Sequence, residues 1–154
     1  MNGPLYAFVV GPVAVTVRHW EERFSELESG ARVEVRRVER SIGERDRAGA
    51  AGVRILPVSD GGIWRADLFV VIDPPGGEPR YHHHPRFAAG DVGPRVFDPD
   101  MAADPAGWTE ARLADLGALL TDCGAGDLAA AVDPAQVAAV LPAVRAAIDA
   151  CLPR

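Results

Sequence analysis

The sequence predicts an α+β protein in which an antiparallel sheet of about five to seven strands, open or barrel-like, is followed by two helices. Three observations support this prediction. Apolar and polar residues alternate over much of 1–98, as in half-buried strands. Over 99–154 apolar residues recur every three or four positions, as in helices. Two Asp-Pro pairs, at 104–105 and 133–134, are typical of helix starts.

A single domain is expected for the 154 residues, with 1–98 mainly β and 99–154 mainly α. No apolar run reaches the roughly 18 residues of a membrane-spanning helix. The N-terminus also lacks a basic segment followed by an apolar one. The expectation is therefore a cytoplasmic protein without membrane partners.

The first 40 residues predict strands with one helix between them. LYAFVV (5–10) and VAVTVRHW (13–20) flank Gly11-Pro12, which indicates two strands joined by a turn or one long bent strand. WEERFSELESG (20–30) has apolar residues at helical spacing before a glycine and predicts a short helix. RVEVRRVE (32–39) alternates as a half-buried strand does.

The next segments predict a loop and then a hairpin. SIGERDRAGAAG (41–52) has no apolar periodicity and predicts a mobile loop. VRILPVSDGG (53–62) predicts a strand and turn, and IWRADLFVVID (63–73) a strong strand. PPGGEP (74–79) is a loop because of its prolines and glycines, and RYHHHPRF (80–87) is the expected partner strand.

The C-terminal third predicts helices at about 105–123 and 134–151. Gly124 is expected to end the first helix, and Pro142 to kink the second because it removes a backbone hydrogen bond. Cys123 and Cys151 fall in these helices without CxxC spacing, which favours buried free thiols.

RYHHHPRF holds three of the four histidines of the chain. If the hairpin closes so that Asp73 faces Arg80, then Asp67 faces Arg86. An opposite-charge pair then stands at each end of the hairpin. His82 and His84 then share one face with Asp67. The opposite face carries Tyr81 and His83 beside Leu68, Val70 and Ile72, and is the better candidate for the core.

Two histidines at i and i+2 on a strand can chelate one divalent metal ion, so His82 and His84 are candidate ligands. Asp67, Asp91 or His19 could supply a third ligand. The spacing Gly76-x5-His82-x-His84 resembles the first half of the motif of cupin metal enzymes. Ala88 and Ala89 stand where a cupin would carry a glutamate, so family membership does not follow.

Acid/base chemistry without metal is the alternative. An imidazole titrates near neutrality, and a carboxylate such as Asp67 could orient it as a general base. Tyr81 and His83 could supply a proton donor and acceptor if they line a pocket. All three could equally be structural, as core residues or a surface pair.

A small enzyme that acts on a small molecule through a histidine-containing pocket, with or without one divalent metal, is therefore the favoured function. A non-catalytic ligand or metal binder and a protein-interaction module are the alternatives. The net charge of −6 disfavours a nucleic-acid partner. A homodimer is also compatible with the sequence, since an edge strand or an apolar stripe along a helix could form its interface.

Overall fold

The computed structural model describes residues 3–38 and 58–153. Five antiparallel strands follow one another in chain order across one sheet: β1 (Leu5–Val10), β2 (Val13–Arg23), β3 (Leu27–Val38), β4 (Val58–Asp73) and β5 (His82–His84). The helices come after the sheet, so the predicted α+β class is confirmed. The sheet is not closed into a barrel.

The helical third contains more helices than predicted. They are α1 (Pro99–Ala103), α2 (Pro105–Ala114), α3 (Leu116–Asp122), α4 (Gly126–Ala129) and α5 (Pro134–Cys151). Asp104 and Asp133 cap α2 and α5 as predicted. The helix expected over 105–123 divides at Asp115, whose carboxylate accepts a hydrogen bond from the Ala118 amide and caps α3. Pro142 lies inside α5, and a kink there stays a prediction.

The helix predicted over 20–30 is wrong. β2 continues through Arg23, and β3 begins at Leu27 after a three-residue turn, with Trp20 opposite Gly30. Phe24 lies in that turn with its side chain 77% exposed, so its helical spacing from Trp20 does not mark a buried stripe. The loop predicted at 41–52 and the start of the strand predicted at 53–62 lie outside the described residues.

The hairpin register differs from the prediction by four residues, since His82 faces Asp67 and not Val71. The charged residues that suggested the other register have other partners. Asp73 accepts a hydrogen bond from Arg23, and Arg80 donates one to Glu26. Because the shift is even, each side chain keeps its predicted face.

The two faces of the sheet have different surroundings. The face under the helices, the helix face, is apolar and forms one core with α2, α3 and α5; its buried residues include Val15, Val17, Val33, Val35, Trp64, Ala66 and Leu68. Trp64 stacks on Trp108 of α2 with ring centroids 6.3 Å apart. Dispersion and hydrophobic burial therefore fix β4 from this side.

The opposite face, the open face, carries polar side chains in two adjacent rows that cross all five strands. One row is Leu5, Arg18, Arg32, Asp67 and His82. The other is Ala7, Thr16, Glu34, Arg65 and His84. The pairing register thus brings residues from distant parts of the sequence into line, and each row ends on a histidine.

Both cysteine thiols are buried and free, as predicted. Burial, with the nearby carboxylate of Asp122, raises the pKa of Cys123 to about 11. We expect both thiols to react with Ellman's reagent at pH 8 at least tenfold more slowly in the folded protein than in urea, because the thiolate is the reactive species. Fast labelling of the native protein would contradict this placement.

Candidate metal centre

Asp67, His82 and His84 form a buried cluster on the open face, and each offers a ligand atom within 4.8 Å of the others. His82 Nε2 lies 3.5 Å from Asp67 Oδ2, and His84 Nε2 lies 3.7 Å from the same oxygen. The three side chains are at most 5% exposed. β4 supplies the carboxylate and β5 both imidazoles.

The other ring nitrogen of each histidine faces a backbone carbonyl. His82 Nδ1 lies 2.7 Å from the carbonyl oxygen of Arg80, and His84 Nδ1 lies 3.1 Å from that of Gly93. A carbonyl oxygen only accepts, so both Nδ1 atoms donate and must carry hydrogen. In a neutral imidazole the Nε2 atom is then a bare lone pair, and both lone pairs point to Asp67.

Arg32 holds the carboxylate from the side opposite the histidines. Its Nε donates to Asp67 Oδ1 at 2.7 Å and its NH2 group to Oδ2 at 3.3 Å. Burial by itself raises the pKa of Asp67, but Arg32 and, when the imidazoles are protonated, hydrogen bonds from His82 and His84 hold that pKa well below its usual value. The carboxylate therefore stays ionised, with Oδ2 turned to the two imidazoles.

The segment after β5 closes the cluster. Val96 exchanges both backbone hydrogen bonds with His83, which keeps the chain beside β5. This places the Gly93 carbonyl at His84 and the Phe97 ring 5.6 Å from His82. The irregular segment between sheet and helices thus takes part in building the centre.

The other proposed third ligands lie elsewhere. His19 shares a hydrogen bond with the Ser29 hydroxyl, on the helix face. Asp91 is exposed and accepts from the Gly93 amide. Asp67 alone of the three candidates joins His82 and His84.

Tyr81 and His83, proposed as acid/base groups, are not brought together with Asp67. His83 points to the helix face, 4.9 Å from the ring of Trp108, and its buried Nδ1 has no hydrogen-bond partner among the described residues. Burial and the guanidinium of Arg112 lower the pKa of His83, whereas burial raises that of Tyr81. His83 is therefore neutral in an aromatic environment, and Asp67 cannot orient it from the other face.

Arg32 is the residue in contact with the cluster that the sequence analysis did not identify. The alternation in RVEVRRVE places Arg32 and Glu34 on one polar face, but their partners depend on the register between β3 and β4. The carbonyls of Arg80 and Gly93 carry no sequence signal, because every residue has one.

No family model, characterised protein or solved structure matches this chain. The open five-stranded sheet also differs from the double-sheet jelly roll of cupins, so the histidine spacing is not accompanied by that fold. Among the described residues no helix is long and apolar enough to cross a membrane. The function is therefore inferred from the geometry of the buried cluster.

Proposed function

We propose that this protein is a small metal-dependent enzyme in which Asp67, His82 and His84 hold one divalent ion that acts on a small molecule. The observation that carries the proposal is the convergence of two Nε2 lone pairs and one carboxylate oxygen, with both Nδ1 hydrogens committed to carbonyls. When both imidazoles are neutral, no hydrogen lies among these three acceptor atoms, and they repel one another. A metal ion between them removes that repulsion.

The separations favour zinc. Ligands about 2.1 Å from a tetrahedral ion lie about 3.4 Å apart, close to the 3.5 Å and 3.7 Å between Nε2 and Oδ2. Hydrogen bonds from the non-ligating Nδ1 atoms to carbonyls, and from Arg32 to the carboxylate, are those that orient metal ligands in proteins. The arrangement thus has both its ligands and their supporting hydrogen bonds.

Three protein ligands leave a fourth coordination position. Zinc sites with three protein ligands bind water or substrate at that position, where the ion lowers the pKa of the water or polarises a carbonyl. The proposed reaction class is hydrolysis, for which the ion would supply Lewis-acid activation of water. Asp67, His82 and His84 hold the ion, and Arg32 is a positioning residue.

The decisive measurement is metal content. Protein made without a histidine tag and loaded with one equivalent of zinc is expected to retain one ion per chain after desalting, as read by mass spectrometry. His84→Ala should lower zinc affinity by at least 100-fold, because a bidentate remnant holds zinc weakly. His83→Ala, the neighbouring change on the helix face, should leave the stoichiometry unchanged. His82→Ala repeats the test on the second imidazole.

Cobalt provides a second readout that does not depend on the stability of a variant. The parent loaded with Co²⁺ should show the strong visible absorption of a four-coordinate ion, and zinc should displace it. A parent that binds neither ion, or equal metal content in the His83 and His84 variants, would refute the proposal. The histidines would then form a hydrogen-bonded ionic network with Asp67.

Burial of all three ligands favours a second candidate, a metal that only stabilises the fold. The binding free energy of a structural metal contributes to the free energy of folding. Removal of such a metal by a chelator would therefore unfold the protein. An enzyme would instead keep its fold in chelator and lose turnover. A panel of chromogenic esters and phosphate esters, assayed with and without zinc, separates the two.

A further inference from the structure

The open face holds a groove of about 430 Å³ next to the candidate metal centre. Its lining consists of Leu5, Ala7, Thr16, Arg18, Trp20, Arg32, Glu34, Arg36 and Arg65. Four arginines and one glutamate thus surround the groove in a protein whose net charge is −6. The excess of positive charge is local to this face.

Three of these arginines already have carboxylate partners. Arg32 binds Asp67, and both Arg36 and Arg65 bind Glu34. Arg18 forms no ion pair with any residue that the structure describes; its guanidinium lies 5.8 Å from the centroid of Trp20. The positive charge of Arg18 is therefore available to a ligand.

Arg18 also lies directly opposite Arg32 across β2 and β3. Like charges at directly opposed positions of an antiparallel pair destabilise a sheet. Arg32 stacks at 4.4 Å from the centroid of the same Trp20 ring, so both guanidinium groups crowd around one indole. Arg32 has Asp67 as its counter-ion, whereas Arg18 has none among the described residues, so an anion bound at Arg18 would offset the repulsion between the two groups.

We infer that this groove binds a small molecule through a carboxylate or phosphate group, with Arg18 as the principal anion-binding residue. Guanidinium groups bind planar carboxylates and phosphates in bidentate geometry, and do so most strongly where water is partly excluded. Trp20, Leu5 and Ala7 add apolar surface for the rest of the molecule. The ligand class is therefore a small amphipathic oxyanion.

This inference deepens the proposed function, since it names the class of molecule on which the metal would act. Arg32 belongs both to the groove and to the hydrogen bonds of Asp67. β2 and β4 are two strand spacings apart, about 10 Å. Arg32 therefore joins the groove to the centre, although the three proposed ligands themselves lie outside the groove lining.

The test uses inorganic phosphate and benzoate as two separate probes, titrated by calorimetry into the full chain at constant ionic strength. Either probe, or both, should bind saturably at one site. Arg18→Gln should weaken that binding by about tenfold or more, the effect of losing one charge-assisted hydrogen-bonded pair. Arg18→Lys keeps the positive charge but not the bidentate geometry of the guanidinium group. This variant should weaken binding of the probe less.

Arg23→Gln is the matched control. It removes the same charge from the same strand, but the Arg23 side chain is 57% exposed, pairs with Asp73 and lies outside the groove. Its effect should stay within twofold. Equal losses in the Arg18 and Arg23 variants, or no saturable binding of either probe to the parent, would overturn the inference.

The same titrations on chelator-treated protein separate this inference from the metal proposal. Binding of phosphate or benzoate that depends on Arg18 but survives the chelator supports the groove even if no metal binds. If Arg18→Gln retains zinc, the metal centre is supported even if the groove binds neither probe. Preference for phosphate over benzoate, or the reverse, tells which oxyanion the groove selects.

Discussion

Asparagine in place of Asp67 is expected to lower the free energy of unfolding by about 3–5 kcal/mol, because it leaves the charged Arg32 side chain buried without its partner. The Arg32 side chain is 14% exposed and that of Asp67 3%, so water compensates only in part for the lost carboxylate. The amide would also abolish zinc binding, since it supplies no negative ligand. Urea unfolding and metal analysis measure the two effects.

Asp73→Asn is the matched control for this change. It makes the same substitution in the same strand and also removes the partner of an arginine, but both side chains of that pair are more than half exposed. Its expected cost is below about 1 kcal/mol, because exposed ion pairs contribute little. Similar costs for the two variants would show that Asp67 and Arg32 are not a buried pair in solution.

A double variant separates stability from metal binding. Arg32→Met with Asp67→Leu replaces both charges with apolar groups of similar size, and such replacements of buried ion pairs are often neutral or stabilising. The double variant should recover most of the stability lost in Asp67→Asn and still bind no zinc. A double variant that binds zinc would exclude Asp67 as a ligand.

The sequence predicted which residues of the centre share a face, although it gave the wrong register. A register shift of four residues leaves the alternation of side chains unchanged, so His82, His84 and Asp67 stay together under either pairing. Alternation is local information. In the observed register Asp73, Arg80 and Asp67 pair with Arg23, Glu26 and Arg32, and no local pattern contains these contacts.

The same limit of local patterns explains why the helix predicted at 20–30 is wrong. Trp20 and Leu27 are spaced as on a helix, but they lie on either side of a three-residue turn and belong to two paired strands. Pairing along the full β2–β3 ladder outweighs the local spacing. Arg32 was overlooked as part of the centre for a related reason, because its partner is 35 residues away.

The caps of α2 and α5 were predictable from the sequence. Asp104 and Asp133 begin α2 and α5 as expected, since an N-cap followed by proline is a local signal. Asp115 is not followed by proline, so this signal is absent there. Its cap divides the segment that the apolar periodicity predicted as one helix. The features that determine the fold class were thus readable locally, whereas the strand register that joins Arg32 to Asp67 was not.

The second large effect is expected from Gly30→Ala, which tests the pairing of β3 with β4 beside the centre. A methyl group at Gly30 would collide with the backbone of Leu68 and Phe69, next to Asp67. Backbone atoms cannot turn aside as side chains do, so β4 must shift. We expect a loss of about 2 kcal/mol or more in unfolding free energy, and weaker zinc binding because Asp67 moves with β4.

Gly117→Ala is the control, because a methyl group there meets nothing within 4 Å and Gly117 lies within α3. That variant should gain up to about 1 kcal/mol, since alanine loses less backbone entropy than glycine in a helix. Urea unfolding and zinc titration of both variants check the pair of expectations. If Gly30→Ala is as stable as the parent and binds zinc equally well, then β3 and β4 do not approach as closely as the structure places them. The pairing of Arg32 with Asp67, which depends on that approach, would then no longer be supported.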